Sequence, residues 1–218
     1  MVAIDGPAGA GKSTVARRLA ERLRGFRYLD TGAMYRAVTA YLLRLDKKEA
    51  SEEEMARAAE GLVLEGDTLH VHGVDVTGDI RTAEVTAEVS RVSAVPAVRR
   101  VVQGKQRAAR GRLVAEGRDI GSVVFPRAPL KVYLDAVLLE RSRRRHRQDP
   151  LHSVDEVAAS IERRDRLDST RADSPLVVPP DAIVIDTSRL TIEEVVCKIA
   201  ALVEERLKNQ GGDPGTAG

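Results

Sequence analysis

Residues 6–14 read GPAGAGKST, and this stretch decides the fold. Its spacing is Gly-x-x-x-x-Gly-Lys-Ser. It follows a short apolar run, VAID (Val2 to Asp5), and precedes an amphipathic stretch, STVARRLAERL. A strand, a glycine-rich turn and a helix in that order let successive backbone N–H groups converge on phosphate oxygens, because glycines accept angles and close approaches that other residues do not. Lys12 then supplies a cation to the β and γ oxygens, and the Ser13 hydroxyl can ligate Mg²⁺. The expected ligand is a nucleoside triphosphate, ATP, held by Gly6, Pro7, Ala8, Gly9, Ala10, Gly11, Lys12, Ser13 and Thr14.

Outward from the loop, the chain alternates short β-rich runs with helical stretches. Strands are expected at Val2 to Asp5, Phe26 to Leu29, Arg112 to Ala115, Leu130 to Leu134 and Ala182 to Ile185, with helices between them. This pattern predicts an α/β fold, a three-layer P-loop architecture with a five-stranded parallel sheet. Ser51 to Glu54, Ser153 to Glu156 and Thr191 to Glu194 each carry Ser/Thr-x-x-Glu, the spacing of a reciprocal helix cap. Leu62 to Ile80 alternates apolar and polar residues around Gly-Asp and His-Gly turns, which predicts a small antiparallel insertion. The Gly-rich tail, 209–218, is expected to be disordered.

Composition narrows the class. The 218 residues carry 35 Lys and Arg against 33 Asp and Glu, so any basic site must come from local clustering. A single cysteine, Cys197, excludes an internal disulfide, and its apolar neighbours predict a helix core position. No apolar run is long enough to cross a bilayer and no leader precedes VAID, so a cytoplasmic protein without membrane attachment is expected. The one asparagine, Asn209, lies in the tail, which nearly excludes a GTPase reading guanine through Asn-Lys-x-Asp.

A small-molecule kinase needs a second site at the C-terminal ends of the strands, where open α/β sheets bind ligands. Three polar clusters fall there. In DTGAMYR (Asp30 to Arg36), Thr31 is placed to cap a helix, and Tyr35 and Arg36 offer a hydroxyl and a guanidinium to an anion. In EGRDIG (Glu116 to Gly121), Arg118 and Asp119 are adjacent charges beside a sheet, costly unless they meet a ligand or each other. Along the helix beginning near Ser153, the stripe Val154, Val157, Ala158 and Ile161 continues as Arg164, Asp168 and Arg171. That face predicts either a helix-end ion pair of Arg164 with Asp168 or a hinged helix delivering arginines to a phosphoryl group. The basic run ERSRRRHRQ (Glu140 to Gln148) reads as a lid over ATP or as a nucleic-acid patch, and the absence of aromatics within it favours the lid.

Together, GPAGAGKST, DTGAMYR, SRVSAVPAVR, EGRDIGSVVFP and RRDRLDSTRADSPL resemble the bacterial cytidylate kinase family, from about Val2 to Leu207. The resemblance implies transfer of the γ-phosphoryl group of ATP to CMP or dCMP, with Mg²⁺, in pyrimidine nucleotide metabolism. It implies that Thr31, Tyr35 and Arg36 line the acceptor site, with Arg36 and Arg118 on the CMP phosphate. Ser90, Arg99 and Asp119 would face cytosine, and a carboxylate can accept from the exocyclic amine that uracil lacks. Arg164, Asp168 and Arg171 would lie near the phosphates and acceptor ribose, and Arg141 and Arg145 in an ATP-covering lid. Lys12, Arg118, Arg164 and Arg171 would stabilise the transferring group. Thr31 stands where many relatives have serine. The implied layout is one kinase domain with a core (about 1–30, 100–140, 176–208), a monophosphate-binding region (about 31–99) and a lid (about 141–175). Its partners would be free nucleotides rather than nucleic acid or membrane, and the chain would be a monomer. Two rivals remain at this point: a P-loop kinase for UMP or a metabolite alcohol, and a nucleic-acid-binding ATPase.

Overall fold

The computed structural model describes residues 1–148 and 150–211. The chain begins with β1 (Val2–Asp5), α1 (Lys12–Arg22), β2 (Phe26–Asp30), α2 (Thr31–Arg44) and α3 (Glu52–Glu60). Next come β3 (Leu62–Glu65), β4 (Thr68–Val71), β5 (Val74–Asp75), α4 (Ala83–Ala94) and α5 (Pro96–Ala108). It continues through β6 (Arg112–Glu116), a π-helical turn (Ile120–Val124), β7 (Leu130–Asp135) and α6 (Leu138–Gln148). The last elements are α7 (Val154–Thr170), β8 (Ile183–Asp186) and α8 (Ile192–Gly211). These elements form two compact units: Met1–Leu29, Gly111–Asp165 and Leu176–Gly218 in the first, Asp30–Arg110 and Arg166–Pro175 in the second.

The first unit is built on a five-stranded sheet ordered β2-β6-β1-β7-β8. β1 lies at its centre, parallel to β6 (Val2↔Val114) and to β7 (Val2↔Leu130 through Asp5↔Tyr133), and β7 is parallel to β8. A strand covered on both faces needs a continuous apolar run, which is what VAI and the apolar run of β6 provide. Ile4, Leu19, Val114, Leu134, Val196 and Ile199 form the heart of this core, where α1 and α8 pack together. Each expected strand is present, four of them extended or shifted by one residue at the C-terminal end.

In the second unit α2 and α3 pack on the antiparallel sheet β3-β4-β5, and α4 and α5 pack on those helices and on each other. The expected meander is therefore present, with Leu62 opposite Val71 and His70 opposite Asp75. Its strands end at Asp75, where the Thr77 N–H donates to the Asp75 carboxylate at 2.8 Å and turns the chain. Met34, Val38, Ala59, Val71, Val92 and Val102 lie in its core. The unit contains all of α5, which the sequence layout divided near residue 99, because α5 packs on α3 and α4. The segment expected to form one lid, 141–175, is shared between the units at Asp165 and Arg166.

Caps follow the sequence with one exception. Ser51 and Glu54 form both halves of a capping box, and the Ser153–Glu156 and Thr191–Glu194 pairs make the same reciprocal bonds. At α2, however, the cap is Asp30, whose carboxylate accepts from the Ala33 N–H at 2.9 Å, and Thr31 is the first helical residue. The helix starts one residue earlier than the Thr31 assignment requires. Cys197 is exposed rather than in the core, because the inward stripe of α8 is Val195, Val196, Ile199, Ala200 and Val203. α8 runs on to Gly211, three residues into the expected tail, and the rest of that tail lies outside the described residues.

Candidate active site

The donor loop leaves β1 through a tight approach to β7. Gly6 has φ 146°, and a Cβ there would lie 2.0 Å from the Leu134 carbonyl oxygen, so only glycine passes. Gly11, at φ 91°, starts α1 without a side-chain cap, which leaves backbone N–H groups at the helix start open to an anion. Lys12 is buried directly after it and donates from Nζ to the Pro7 carbonyl at 2.7 Å. Burial first, and then the Arg118 guanidinium, push its amine down from 10.5 to about 7, with Glu116 and Asp165 opposing and Arg164 adding to the depression. Two arginines and two carboxylates of the first unit thus act on the Lys12 charge in opposite directions.

Ser13 Oγ donates to Glu116 Oε1 at 2.7 Å, and the Tyr28 hydroxyl reaches the same oxygen at 3.3 Å. Glu116 ends β6, next to β1 in the sheet, and it is buried. No sequence pattern assigns a role to Glu116 or to Tyr28. A carboxylate at the C-terminal end of the strand beside the donor loop was the available signal. Ser13 and Glu116 are hard oxygen donors of the kind Mg²⁺ takes, one or two from protein and the rest from phosphates and water. Among the described residues no group of three or more His, Cys, Asp and Glu could hold a metal ion.

Ala8 is held on both sides of its peptide. Its N–H donates to Asp165 Oδ1 at 2.9 Å, and its carbonyl accepts from Arg141 Nη1 at 2.9 Å. Arg141 also pairs with Asp165 and donates from Nε to the Ala136 carbonyl at 2.9 Å. The Ala8 methyl packs against Val157, Ile161 and Leu138, which binds the donor loop to α6 and α7. Arg141, expected over ATP, here braces the loop backbone. Asp165 was not singled out in the sequence. Arg145 lies exposed on α6, whereas Arg144 is turned inward to Glu140 at 3.0 Å and to the Thr187 carbonyl at 2.6 Å.

Beyond β6, Asp119 is buried and Arg118 half-buried, with Arg118 Nη1 3.3 Å from the Gly117 carbonyl. Beneath them lies Asp5, also buried, accepting from the Ile120 and Gly121 N–H groups. Burial raises its carboxyl from 3.8 to about 6; the two amides and Lys12 pull it down and Asp119 pushes it up. Between these two values the folded chain holds the proton and the unfolded chain does not. Stability therefore falls as pH rises from about 4 to about 6 and levels off above. Relative to Asp5→Asn, which has no such titration, the wild type is expected to lose about 2 kcal/mol between pH 4.5 and 7. Urea unfolding of both proteins at pH 4.5 and 7 measures this. A pH-independent difference would place Asp5 at an ordinary carboxyl pKa.

The second unit gathers the remaining expected acceptor residues. Tyr35 is buried, with the Arg99 guanidinium 5.3 Å from its ring centroid, and Arg99 Nη1 donates to the Ser93 carbonyl at 3.0 Å. Arg36 donates to the Ile80 carbonyl at 3.2 Å and to Thr86 Oγ1 at 2.9 Å. Thr31 is buried and its carbonyl accepts from Gln106, while half-buried Ser90 accepts from the Ser93 hydroxyl through its carbonyl. Arg171 pairs with buried Asp168 at 3.3 Å and donates from Nε to the Ser174 carbonyl at 2.7 Å. Gln103, which no sequence motif marks, donates from Nε2 to Ser174 Oγ at 3.0 Å. So Lys12, Ser13, Arg118, Asp119, Arg141, Arg145 and Arg164 belong to the first unit, and Thr31, Tyr35, Arg36, Ser90, Arg99, Asp168 and Arg171 to the second.

The cytidylate kinase family model matches residues 2–205. The chain belongs to the cytidylate kinase family.

Cytidylate kinases of Solibacter usitatus and Mycolicibacterium paratuberculosis are each 47% identical to it over 219 residues. They cover 96% and 94% of this chain, and the match spans 94% and 96% of their own lengths. That of Caldanaerobacter subterraneus subsp. tengcongensis is 45% identical over 218 residues, covering 96% of both chains. As a cytidylate kinase family member the chain is a phosphotransferase that uses ATP and acts on nucleotides. Among the described residues no helix is long and apolar enough to cross a membrane.

Proposed function

We propose that this chain transfers the γ-phosphoryl group of ATP to CMP or dCMP, giving CDP or dCDP. The observation that carries the reading, beside the family, is the glycine-rich turn from β1 into α1, with Lys12 buried at the helix start and Ser13 bonded to Glu116. Backbone N–H groups at a helix start beside a buried cation suit the anionic oxygens of a polyphosphate. Lys12 and the amides of Gly9 to Thr14 hold the donor phosphates. Arg118, Arg164 and Arg171 draw charge from the transferring group, and the acceptor phosphate, already an anion, needs no general base. Arg36 with Arg118 would take the CMP phosphate, Asp168 the ribose hydroxyls, and Ser90, Arg99 and Asp119 the base. Ser13 and Glu116 would hold Mg²⁺, which supplies charge neutralisation on the donor phosphates. The inward contacts of Arg141 and Arg144 favour the basic helix as a brace and lid for the donor site over a nucleic-acid stripe. We read the enzyme as a cytoplasmic monomer with no nucleic-acid partner. An ATP-coupled assay over CMP, dCMP, UMP, AMP, GMP and shikimate is expected to show CMP and dCMP far ahead. Preference for any other acceptor, or steep salt-dependent RNA affinity without turnover, would overturn the reading.

A further inference from the structure

Asp5 ends β1 one residue before the donor loop, is buried, and belongs to no set of residues expected to touch either nucleotide. A buried carboxylate is costly unless donors satisfy it. Each of its oxygens has one: Oδ1 accepts from the Ile120 N–H at 2.8 Å and Oδ2 from the Gly121 N–H at 2.7 Å. These are the first two amides of the π-helical turn, groups that a helix start leaves without partners of its own. The approach is close. A Cβ on Gly121 would lie 3.2 Å from Asp5 Oδ2 and 3.1 Å from the Lys131 side chain, so glycine lets the carboxylate reach the backbone.

Just upstream, the Gly117 N–H donates to the Ile4 carbonyl at 2.9 Å. Arg118 and Asp119 are therefore suspended between two anchors on β1: the Ile4 carbonyl before them and the Asp5 carboxylate after them. The Asp119 carbonyl in turn accepts from the Val123 and Val124 N–H groups at 2.9 and 3.0 Å, which fixes its peptide to the turn that Asp5 grips. The same strand runs directly into Gly6 and the donor loop. Because strand β1 is shared, the place where Arg118 and Asp119 leave the backbone is set relative to the donor loop by the Ile4 carbonyl and by one side chain, Asp5.

We propose that Asp5 is a positioning residue for acceptor selection, acting through the Ile120 and Gly121 amides to hold Arg118 and Asp119 in register with the donor loop. The inference rests on the reading above that Arg118 and Asp119 meet the monophosphate. Asp5 itself touches neither nucleotide.

Asp5→Asn tests it, because asparagine keeps the size and one oxygen but turns an NH₂ group toward one of the two N–H donors. The ratio of kcat/KM for CMP over UMP is expected to fall at least about tenfold, the effect of one displaced polar contact in a buried site. Affinity for a non-hydrolysable ATP analogue is expected to stay within about twofold of wild type. An unchanged ratio, or equal losses for both acceptors together with weaker analogue binding, assigns Asp5 to general stability and overturns the proposal. If the wild type shows no preference for CMP over UMP, the functional reading fails instead.

Gly121→Ala approaches the same contact from the other side and is expected to reproduce the selectivity loss should Asp5→Asn not fold. On the wild-type enzyme, the amide proton shifts of Ile120 and Gly121 are expected to titrate together with the Asp5 carboxyl. Amides that stay flat while that carboxyl titrates would show that the grip does not exist in solution.

Discussion

Replacing Lys12 with alanine is expected to lower kcat at least about 1,000-fold, the scale seen when a charge-stabilising group is taken from phosphoryl transfer. The fold is expected to survive. Lys12 is a cation in a place that resists its charge, pushed down to about 7 by burial and by Arg118, so its removal relieves a cost as well as breaking the bond to the Pro7 carbonyl. Those effects oppose each other, and the melting temperature is expected to move by no more than about 4 °C. Turnover by single-turnover quench and stability by calorimetry on the same sample separate the two outcomes. Near-normal turnover in a folded Lys12→Ala protein would remove the loop from the chemistry.

Asp119→Ala carries the second large effect. On the proposed reading the carboxylate accepts from the cytosine amine, and removing it leaves that amine buried without a partner. The expected result is a loss of at least about 100-fold in kcat/KM for CMP with a much smaller change for UMP, so that base preference collapses. ATP-analogue affinity is expected to hold, because Asp119 lies after β6 rather than on the donor loop. Measured side by side, the two acceptors decide the matter: equal losses would give Asp119 a role in loop structure instead of base reading. The comparison also complements Asp5→Asn, since Asp119→Ala removes the reader and Asp5→Asn displaces it.

Local patterns were legible in the sequence because the forces behind them are local. Gly6, Gly11, Lys12 and Ser13 announce a donor loop through backbone freedom and spacing alone, and Ser51, Ser153 and Thr191 announce helix starts through partners three residues away. The strands were visible as apolar runs, and the meander as an alternation between turns. Where two neighbours could do the same task, the pattern was ambiguous. Asp30 and Thr31 are both good caps, and Asp30 has the position one residue ahead of the helix. Cys197 looked apolar by its neighbours, yet a helix turns about 100° per residue, so adjacent residues face different ways.

By itself, the sequence determined the α/β alternation, the glycine-rich loop after β1 and three of the helix caps. What only the tertiary structure decided is which polar groups meet. Ser13 with Glu116 spans 103 positions, Ala8 with Asp165 spans 157, and Asp5 with the Ile120 amide spans 115. No periodicity records such pairings. They arise because parallel strands joined by crossover helices bring the ends of β1 and β6 side by side, and because buried polar groups must find partners wherever the chain has placed them.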